Sequence, residues 1–335
     1  MKTGVTFIIP TLNAQRTLSK CLASIEKQKY PRNKIEVLML DGGSTDKTCE
    51  IAKSYKNLNL KFIRAGLRNN MEARRQVGFK KAKFDIVCVL DSDNYIGGKD
   101  WISRMEAPLR KHRDLVGSFT LHYDYDPKMS VYNRYVALFG GYDPVSYYLE
   151  KTDRLKWTVK SWNRSGQVIK KTKDYTILEF HNDDFPTLGS NGFMIRRDFV
   201  HHKNMKPKEF FHTDILYDLL EEGKNSYAVV DVPVVHETSS TAWNSIKKRV
   251  AYMTLHHIKL IKLRRYKVFN KASRKDQGNL LRFIVYTTTL IIPVYESIEG
   301  YLKVRDLAWF YHPVICWLFL IGYSYAVIKS KLVKS

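Results

Sequence analysis

Apolar runs and amphipathic stretches alternate along the first ninety residues. Val5 to Pro10 is a short β-branched and aromatic run broken at Pro10-Thr11-Leu12-Asn13, after which Leu18, Leu22 and Ile25 recur at helical spacing. Ile35 to Leu40 ends at Asp41-Gly42-Gly43-Ser44-Thr45-Asp46, where the glycines permit a close-approach turn and Ser, Thr and Asp can cap a helix from near Lys47. Leu58 to Ile63 precedes a helical stretch from Met71 to Lys83, and Phe84 to Leu90 is the next strand. This alternation predicts an α/β fold, a mostly parallel sheet flanked by helices with its ligand at the C-terminal strand ends. Asp41, Asp91 and Asp93 all fall on that edge.

Asp91-Ser92-Asp93 closes the Phe84–Leu90 run. Two carboxylates at the end of a buried strand make a hard-oxygen site for a divalent cation, which can in turn hold a diphosphate. Surface loops also produce such triplets, and the Asp41 loop also reads as a simple capped turn.

Four segments taken together resemble family 2 glycosyltransferases of GT-A fold: Ile8 to Asn13, Glu36 to Thr48, Arg75-Gln76-Val77-Gly78 and Val89 to Asp93. The resemblance implies that Pro10, Thr11, Leu12 and Asp41 hold the base of a nucleotide-sugar, a UDP-sugar first among donors. It places Asp91 near the ribose and Asp93 on a metal, Mn2+ or Mg2+, at the diphosphate. Where the family usually reads Arg-Asn this chain has Arg75-Gln76, so Arg75 is carried as a diphosphate contact.

Further along, Leu188 to Arg197 resembles the family's acceptor loop, with Gly189, Ser190, Asn191 and Gly192 small enough to bring a sugar close to the backbone. Phe211-His212-Thr213-Asp214 opens a helix with Ile215, Leu216, Leu219 and Leu220 at helical spacing. The family commonly has Glu-Asp where Thr213-Asp214 stands. The resemblance makes Asp214 the general base for an acceptor hydroxyl; a helix N-cap is its other reading, and one Asp can serve both. Val232 to His236 resembles the strand that brings a histidine to the metal, although a histidine after an apolar strand is also an ordinary structural residue. The acidic pairs Asp183-Asp184, Glu221-Glu222 and Asp124/Asp126 read as solvated surface. The aromatic and basic stretch from Gly117 to Phe180 reads as an acceptor side or as core and surface.

Charge then bears on partners. The 335 residues carry 56 Lys+Arg against 33 Asp+Glu, a net +23, which favours an anionic partner, lipid or nucleic acid. Four widely spaced cysteines indicate neither a disulfide framework nor a zinc site. Residues 1–4 lead directly into the first strand, so a catalytic domain on the cytoplasmic side is expected. Between Thr241 and Leu280 there are eleven Lys/Arg and one acid, Asp276, with Trp243, Ile246, Val250, Met253, Leu260 and Ile261 near one face of a helix. Such a helix suits an anionic membrane surface, or packs on its own domain.

Leu307 to Ile328 is a run of 22 residues without Asp, Glu, Lys or Arg. At helical rise it reaches roughly 33 Å, enough to cross a bilayer core. Phe283 to Tyr295 is a shorter apolar stretch that crosses or lies re-entrant. With Lys329, Lys331 and Lys334 after the last run and the basic block before the first, two crossings keep both on the cytoplasmic side.

The expected organisation is therefore a GT-A catalytic domain over residues 1–240, a basic amphipathic segment over 241–279, and a transmembrane hairpin with a basic tail over 280–335. The expected activity is membrane-associated, inverting transfer of a sugar from a nucleotide diphosphate to a lipid-linked or cell-envelope glycan acceptor. Inversion is implied by the resemblance alone, and no nucleic acid is expected. A polyprenyl-phosphate monosugar synthase is an alternative, although Asn94-Tyr95-Ile96 follows Asp93 in place of that group's usual continuation. A nucleotidyltransferase would need a Gly/Arg/Lys-rich loop after its first strand, which Thr11 to Lys20 is not. A non-catalytic basic scaffold explains the charge but not the ordered aspartates.

Overall fold

A computed structural model describes residues 2–201, 209–238 and 241–332. The chain divides by packing into two interleaved units. The first comprises residues 1–122, 166–182 and 188–237, and the second residues 123–165, 183–187 and 238–335. A linear boundary at residue 240 does not describe this division, because the aromatic segment 123–165 packs with the C-terminal part. Residue 240 and Lys334 lie outside the described residues.

In the first unit the chain order begins β1 (Lys2–Thr11), α1 (Leu18–Glu26), β2 (Ile35–Asp41), α2 (Thr48–Ser54), β3 (Leu60–Arg64), α3 (Met71–Lys81) and β4 (Phe84–Val89). There follow β5 (Asn94–Ile96), α4 (Trp101–Lys111) and β6 (Gly117–Thr120). The second unit takes α5 (Val131–Phe139) and α6 (Pro144–Tyr148) before the first resumes with β7 (Gln167–Lys171), β8 (Tyr175–Glu179) and β9 (Phe193–Arg196). Then come α7 (Arg197–His201), α8 (His212–Glu221), β10 (Ser226–Val230) and β11 (Val234–His236). Nine of these strands form one sheet in the order β3-β2-β1-β4-β9-β6-β10-β8-β7, and β11 pairs with β5 in a separate ribbon.

The central strands are apolar because both their faces are covered. Val5, Phe7 and Ile9 of β1, with Val37 and Met39 of β2, join the core against Leu18, Leu22 and Ile25 of α1 and Trp101, Ile102 and Met105 of α4. On the opposite face α3 comes so close that a Cβ on Gly78 would lie 2.6 Å from Ile8. β1 pairs in parallel with β2 on one side and β4 on the other, so the sheet order reverses there. An open α/β sheet binds ligands in the crevice at such a switch point. The expected elements recur within a few residues of their anticipated ends, with the helix after the Asp41 loop starting at Thr48.

The second unit continues with α9 (Ala242–Tyr252), α10 (Arg274–Thr289), α11 (Ile291–Lys303) and α12 (Tyr311–Leu332). The basic amphipathic helix expected through residues 241–280 is interrupted. α9 gives way to a widened π turn over Met253–Lys259 and a short 3-10 turn at Ile261–Leu263. Its apolar positions are unequally covered: Ile246 is buried while Trp243 is 56% exposed. α10 and α11 meet at 80° through Leu290, whose φ of +61° is left-handed. Residues Leu307–Leu332 form the one described helical stretch long and apolar enough by itself to cross a membrane.

Candidate active site

The first two strand-end loops are zipped together. Asn13 receives the Thr45 N–H on Oδ1 at 2.9 Å and donates its own N–H to Ser44 Oγ at 2.8 Å. Ala14 N–H reaches Thr48 Oγ1 at 2.7 Å, and Gln15 N–H reaches Asp46 Oδ2 at 3.1 Å. Thr11 pairs with Asp41 at the strand ends, and Gly42 N–H donates to the Thr11 carbonyl at 2.9 Å. Asp41 spends its carboxylate on its own loop, accepting from Gly43 N–H (2.9 Å) and from Ser44 N–H and Oγ (3.1 and 2.5 Å). Gly43, at φ +96°, makes that turn possible. Pro10, Thr11 and Asp41 are buried and Leu12 is partly exposed, so the Asp41 loop is both a capped turn and the rim of the crevice.

Beyond β4 the chain turns at Asp91, whose carbonyl accepts the Asn94 N–H at 2.9 Å. The Asp91 carboxylate is held by Arg75, whose Nη2 lies 2.8 and 2.9 Å from its two oxygens. Arg75 is 1% exposed and its Nη1 donates to Glu72 Oε1 at 2.6 Å, one helical turn earlier. Glu72 Oε2 accepts the His212 N–H at 3.1 Å and lies 2.9 Å from His212 Nδ1. Burial alone would raise the Glu72 pKa, but Arg75 and His212 hold its carboxyl well below the ordinary carboxylate range. Arg75 thus orients Asp91 while being tied, through Glu72, to the helix that carries Asp214.

Asp93 meets His236. The β5–β11 ribbon pairs Asn94 with His236, which brings His236 Nε2 to 3.8 Å from Asp93 Oδ2. Glu237 fixes the ribbon: its N–H donates to the Asp93 carbonyl at 2.9 Å, and its carboxylate takes Arg16 at 2.6 Å and Lys20 at 2.7 Å from the α1 side. A carboxylate and an imidazole at this separation suit one divalent cation, manganese better than magnesium. Among the described residues no third His, Cys, Asp or Glu completes a cluster, so an ion there would fill its coordination from phosphate oxygens and water.

The acceptor-loop candidates lie at the same sheet edge. Gly192 N–H donates to the Val89 carbonyl at 2.9 Å, fixing the loop to the end of β4. Gly189, Asn191 and Gly192 all have positive φ, and a Cβ on Gly189 would lie 2.7 Å from the His212 ring. Ser190 accepts the Phe193 N–H on its carbonyl at 3.3 Å. Asp214 is 1% exposed in the first turn of α8. The N-cap position belongs to Phe211, which corrects the capping alternative for Asp214: its side chain sits one turn too far into the helix.

Glu72, His212 and Glu237 were not singled out from sequence. Glu72 and Arg75 were discoverable as an i, i+3 opposite-charge pair, but their burial and the link to His212 are tertiary facts. Glu237 gives no signal beyond adjacency to His236.

The architecture is the GT-A fold. Mannosyltransferase PcManGT from Pyrobaculum calidifontis, solved in complex with GDP-Man and Mn2+, superposes with a TM-score of 0.52 at 15% identity, covering 96% of this chain and 87% of that one. The Staphylococcus aureus (strain Mu50) poly(ribitol-phosphate) beta-N-acetylglucosaminyltransferase TarS is 36% identical over 107 residues, 31% of this chain and 18% of that protein. A Methanococcus voltae dolichyl N-acetyl-alpha-D-glucosaminyl phosphate 3-beta-D-2,3-diacetamido-2,3-dideoxy-beta-D-glucuronosyltransferase is 33% identical over 96 residues, 27% of this chain and 29% of that protein. The matched segments span less than a third of these two relatives. The sequence model of Glycosyl transferase family 2 matches residues 6–177, over half of the chain and across all four of the segments that carry the resemblance, and the chain belongs to that family.

Proposed function

We propose that this protein is a membrane-associated, inverting glycosyltransferase that moves a sugar from a nucleotide diphosphate to a lipid-linked or cell-envelope glycan acceptor. The observation that carries the reading is the approach of Asp93 and His236, 3.8 Å apart, just beyond the strand end where Arg75 holds Asp91. Rossmann-type crevices with this disposition take a nucleotide. The Thr11 and Asp41 loops flank the base, and Asp91, aligned by Arg75, receives the ribose. A divalent cation, Mn2+ or Mg2+, on Asp93 and His236 would neutralise charge on the departing nucleoside diphosphate. Asp214 takes the proton of the acceptor hydroxyl as that oxygen attacks the anomeric carbon. The Gly189–Gly192 loop, lacking bulk, lets the acceptor approach the backbone.

Membrane association rests on the net charge of +23 and on the long apolar helix over Leu307–Leu332, with the first unit on the cytoplasmic side. The names of the TarS and Methanococcus relatives, with poly(ribitol-phosphate) and dolichyl phosphate parts, support a phosphate-bearing envelope or lipid-linked acceptor. UDP-sugars are the first donors to test and GDP-mannose the next.

The test is a donor screen on full-length protein in detergent, reading released nucleotide with added Mn2+, Mg2+ or EDTA. Metal-dependent release from one donor is expected. Release from no donor under any of these conditions would leave a basic scaffold as the better reading.

A further inference from the structure

The second unit presents an apolar surface whose shape bears on how the chain meets a membrane. On α11 the exposed residues Ile291, Tyr295, Ile298 and Leu302 recur at spacings of three or four, so they form one stripe. α12 repeats the pattern with Val314, Trp317, Ile321, Tyr325 and Ile328. Leu281 and Val285 extend it on α10 at 63% and 46% exposure. Contiguous exposed apolar area on this scale marks an interaction surface.

The other side of α12 is polar-anchored at two points along its length. His312, near its start, lies 3.1 Å from the Tyr135 hydroxyl, 3.0 Å from that of Tyr148 and 3.3 Å from Glu296. Tyr323, about three turns on, donates to Asp143 at 2.6 Å, and the same carboxylate oxygen accepts from Arg249 at 2.9 Å. Glu296 itself pairs with Lys156 at 2.9 Å. A helix fixed along one face to ion pairs cannot have lipid on all sides, because charges drawn to mid-membrane depth are costly. The break at Leu290 points the same way. An 80° bend at a left-handed, exposed residue disrupts the backbone ladder where hydrocarbon would leave it without partners, yet it is readily accommodated at the lipid–water interface.

Resting on the membrane reading above, we propose that α10, α11 and α12 form a monotopic platform that lies in one leaflet of an anionic bilayer. The apolar stripes face the acyl chains, and both the α11–α12 connector and the C-terminal end of α12 stay on the side of the catalytic unit. Charge complementarity selects lipid over a second copy as the occupant. Residues 264–332 carry eleven Lys/Arg against four acids, of which Glu296 and Asp306 are already paired inside the unit with Lys156 and Arg134. Lys303 pairs with Glu299 at 2.6 Å, and exposed Arg274, Arg282, Arg305, Lys329 and Lys331 remain to meet headgroups.

The test uses full-length protein in a Cys49→Ser background, the other cysteines being buried. Single cysteines at Arg305→Cys and Lys331→Cys are challenged with a membrane-impermeant maleimide in inverted inner-membrane vesicles and in spheroplasts. Labelling of both sites in inverted vesicles, and of neither in spheroplasts, is expected. Labelling of R305C only in spheroplasts would establish the crossing hairpin, and of K331C only in spheroplasts a single crossing; either overturns the platform. Ile298→Asp with Ile321→Asp should lower flotation with phosphatidylglycerol-containing vesicles by about tenfold or more while nucleotide release persists. Failure of the unmutated protein to float would remove the membrane reading and the platform with it. A dimer by light scattering that covers the stripes, without vesicle binding, would assign the surface to a second copy.

Discussion

Glu72 takes both the backbone N–H and the ring of His212, at 3.1 and 2.9 Å, and so fastens α3 to the first turn of α8 across 140 residues of sequence. The same carboxylate is the ion partner of buried Arg75. One side chain therefore joins the helix that orients Asp91 to the helix that carries Asp214.

Glu72→Gln keeps the shape and removes the charge, leaving Arg75 with only Asp91 as its ionic partner among the contacts described above. Breaking a buried pair from one side costs about 3–5 kcal/mol, which urea unfolding at neutral pH should register. The pH dependence follows from the depressed pKa. The Glu72 contribution is fully present above the ordinary carboxylate value of 4.5 and is lost as pH falls toward its lower folded value. Below pH 4.5 the variant and the wild type should converge in stability. An unchanging gap down to the lowest measurable pH would show that Glu72 does not act through its charge.

Arg75→Lys tests orientation separately from charge. Lysine keeps the cation but cannot bridge two carboxylates with separate, rigidly spaced nitrogens, as Nη2 on Asp91 at 2.8 Å and Nη1 on Glu72 at 2.6 Å do. On the proposed reading, in which Asp91 receives the ribose, the donor KM should rise by about tenfold with a smaller change in kcat. A fall in kcat at constant KM would place Arg75 at the transition state instead.

Asp93→Asn should abolish transfer with the fold intact, since a neutral amide neither neutralises nor ligates a hard cation as a carboxylate does. His236→Ala should be milder and metal-specific, raising the Mn2+ concentration for half-maximal rate by about 10–100-fold. Identical metal titrations for His236→Ala and wild type would return His236 to the structural role that its place on a short apolar strand also permits.

How far sequence reaches is visible in these residues. Strand ends are legible because the crevice loops follow unbroken apolar runs, so the sequence pattern alone puts Asp41, Asp91 and Asp93 on one edge. Residues that act through partners far along the chain were not: Glu72 finds His212 only after α3 and α8 pack, and the Asp41 carboxylate turns inward onto Ser44 because of the left-handed Gly43. The tail shows the opposite failure. Hydropathy recorded an apolar run over residues 307–328 but not that one face of it lies on Asp143 and Arg249, since periodicity is blind to polar groups supplied by other segments.

Gly189→Ala probes the proposed acceptor loop. A methyl group there meets the His212 ring at 2.7 Å on a backbone with φ of +114°, so the loop or the first turn of α8 must shift. Transfer to acceptor should drop by about tenfold or more while slow donor hydrolysis is retained, because misplacement of about 1 Å is enough to cost catalysis. Equal loss of both activities would mean that the loop serves the donor.

Asp214→Asn separates catalysis from helix stability. Asp214 stands in the first turn of α8 but not at its N-cap, so neutralising it forfeits about 0.3–1 kcal/mol of favourable interaction with the helix N-terminus. Loss of a general base costs about a hundredfold or more in turnover. The expected variant binds nucleotide-sugar normally, unfolds within a few degrees of wild type and transfers at most about 1% as fast. The acceptor enters this comparison directly. A hydroxyl must lose a proton as it attacks, whereas a phosphate oxygen is already anionic and needs no base. Near-normal turnover of well-folded Asp214→Asn with a polyprenyl phosphate, alongside a collapse with hydroxyl acceptors, would therefore identify a phosphate as the attacking group and remove Asp214 from the proton path.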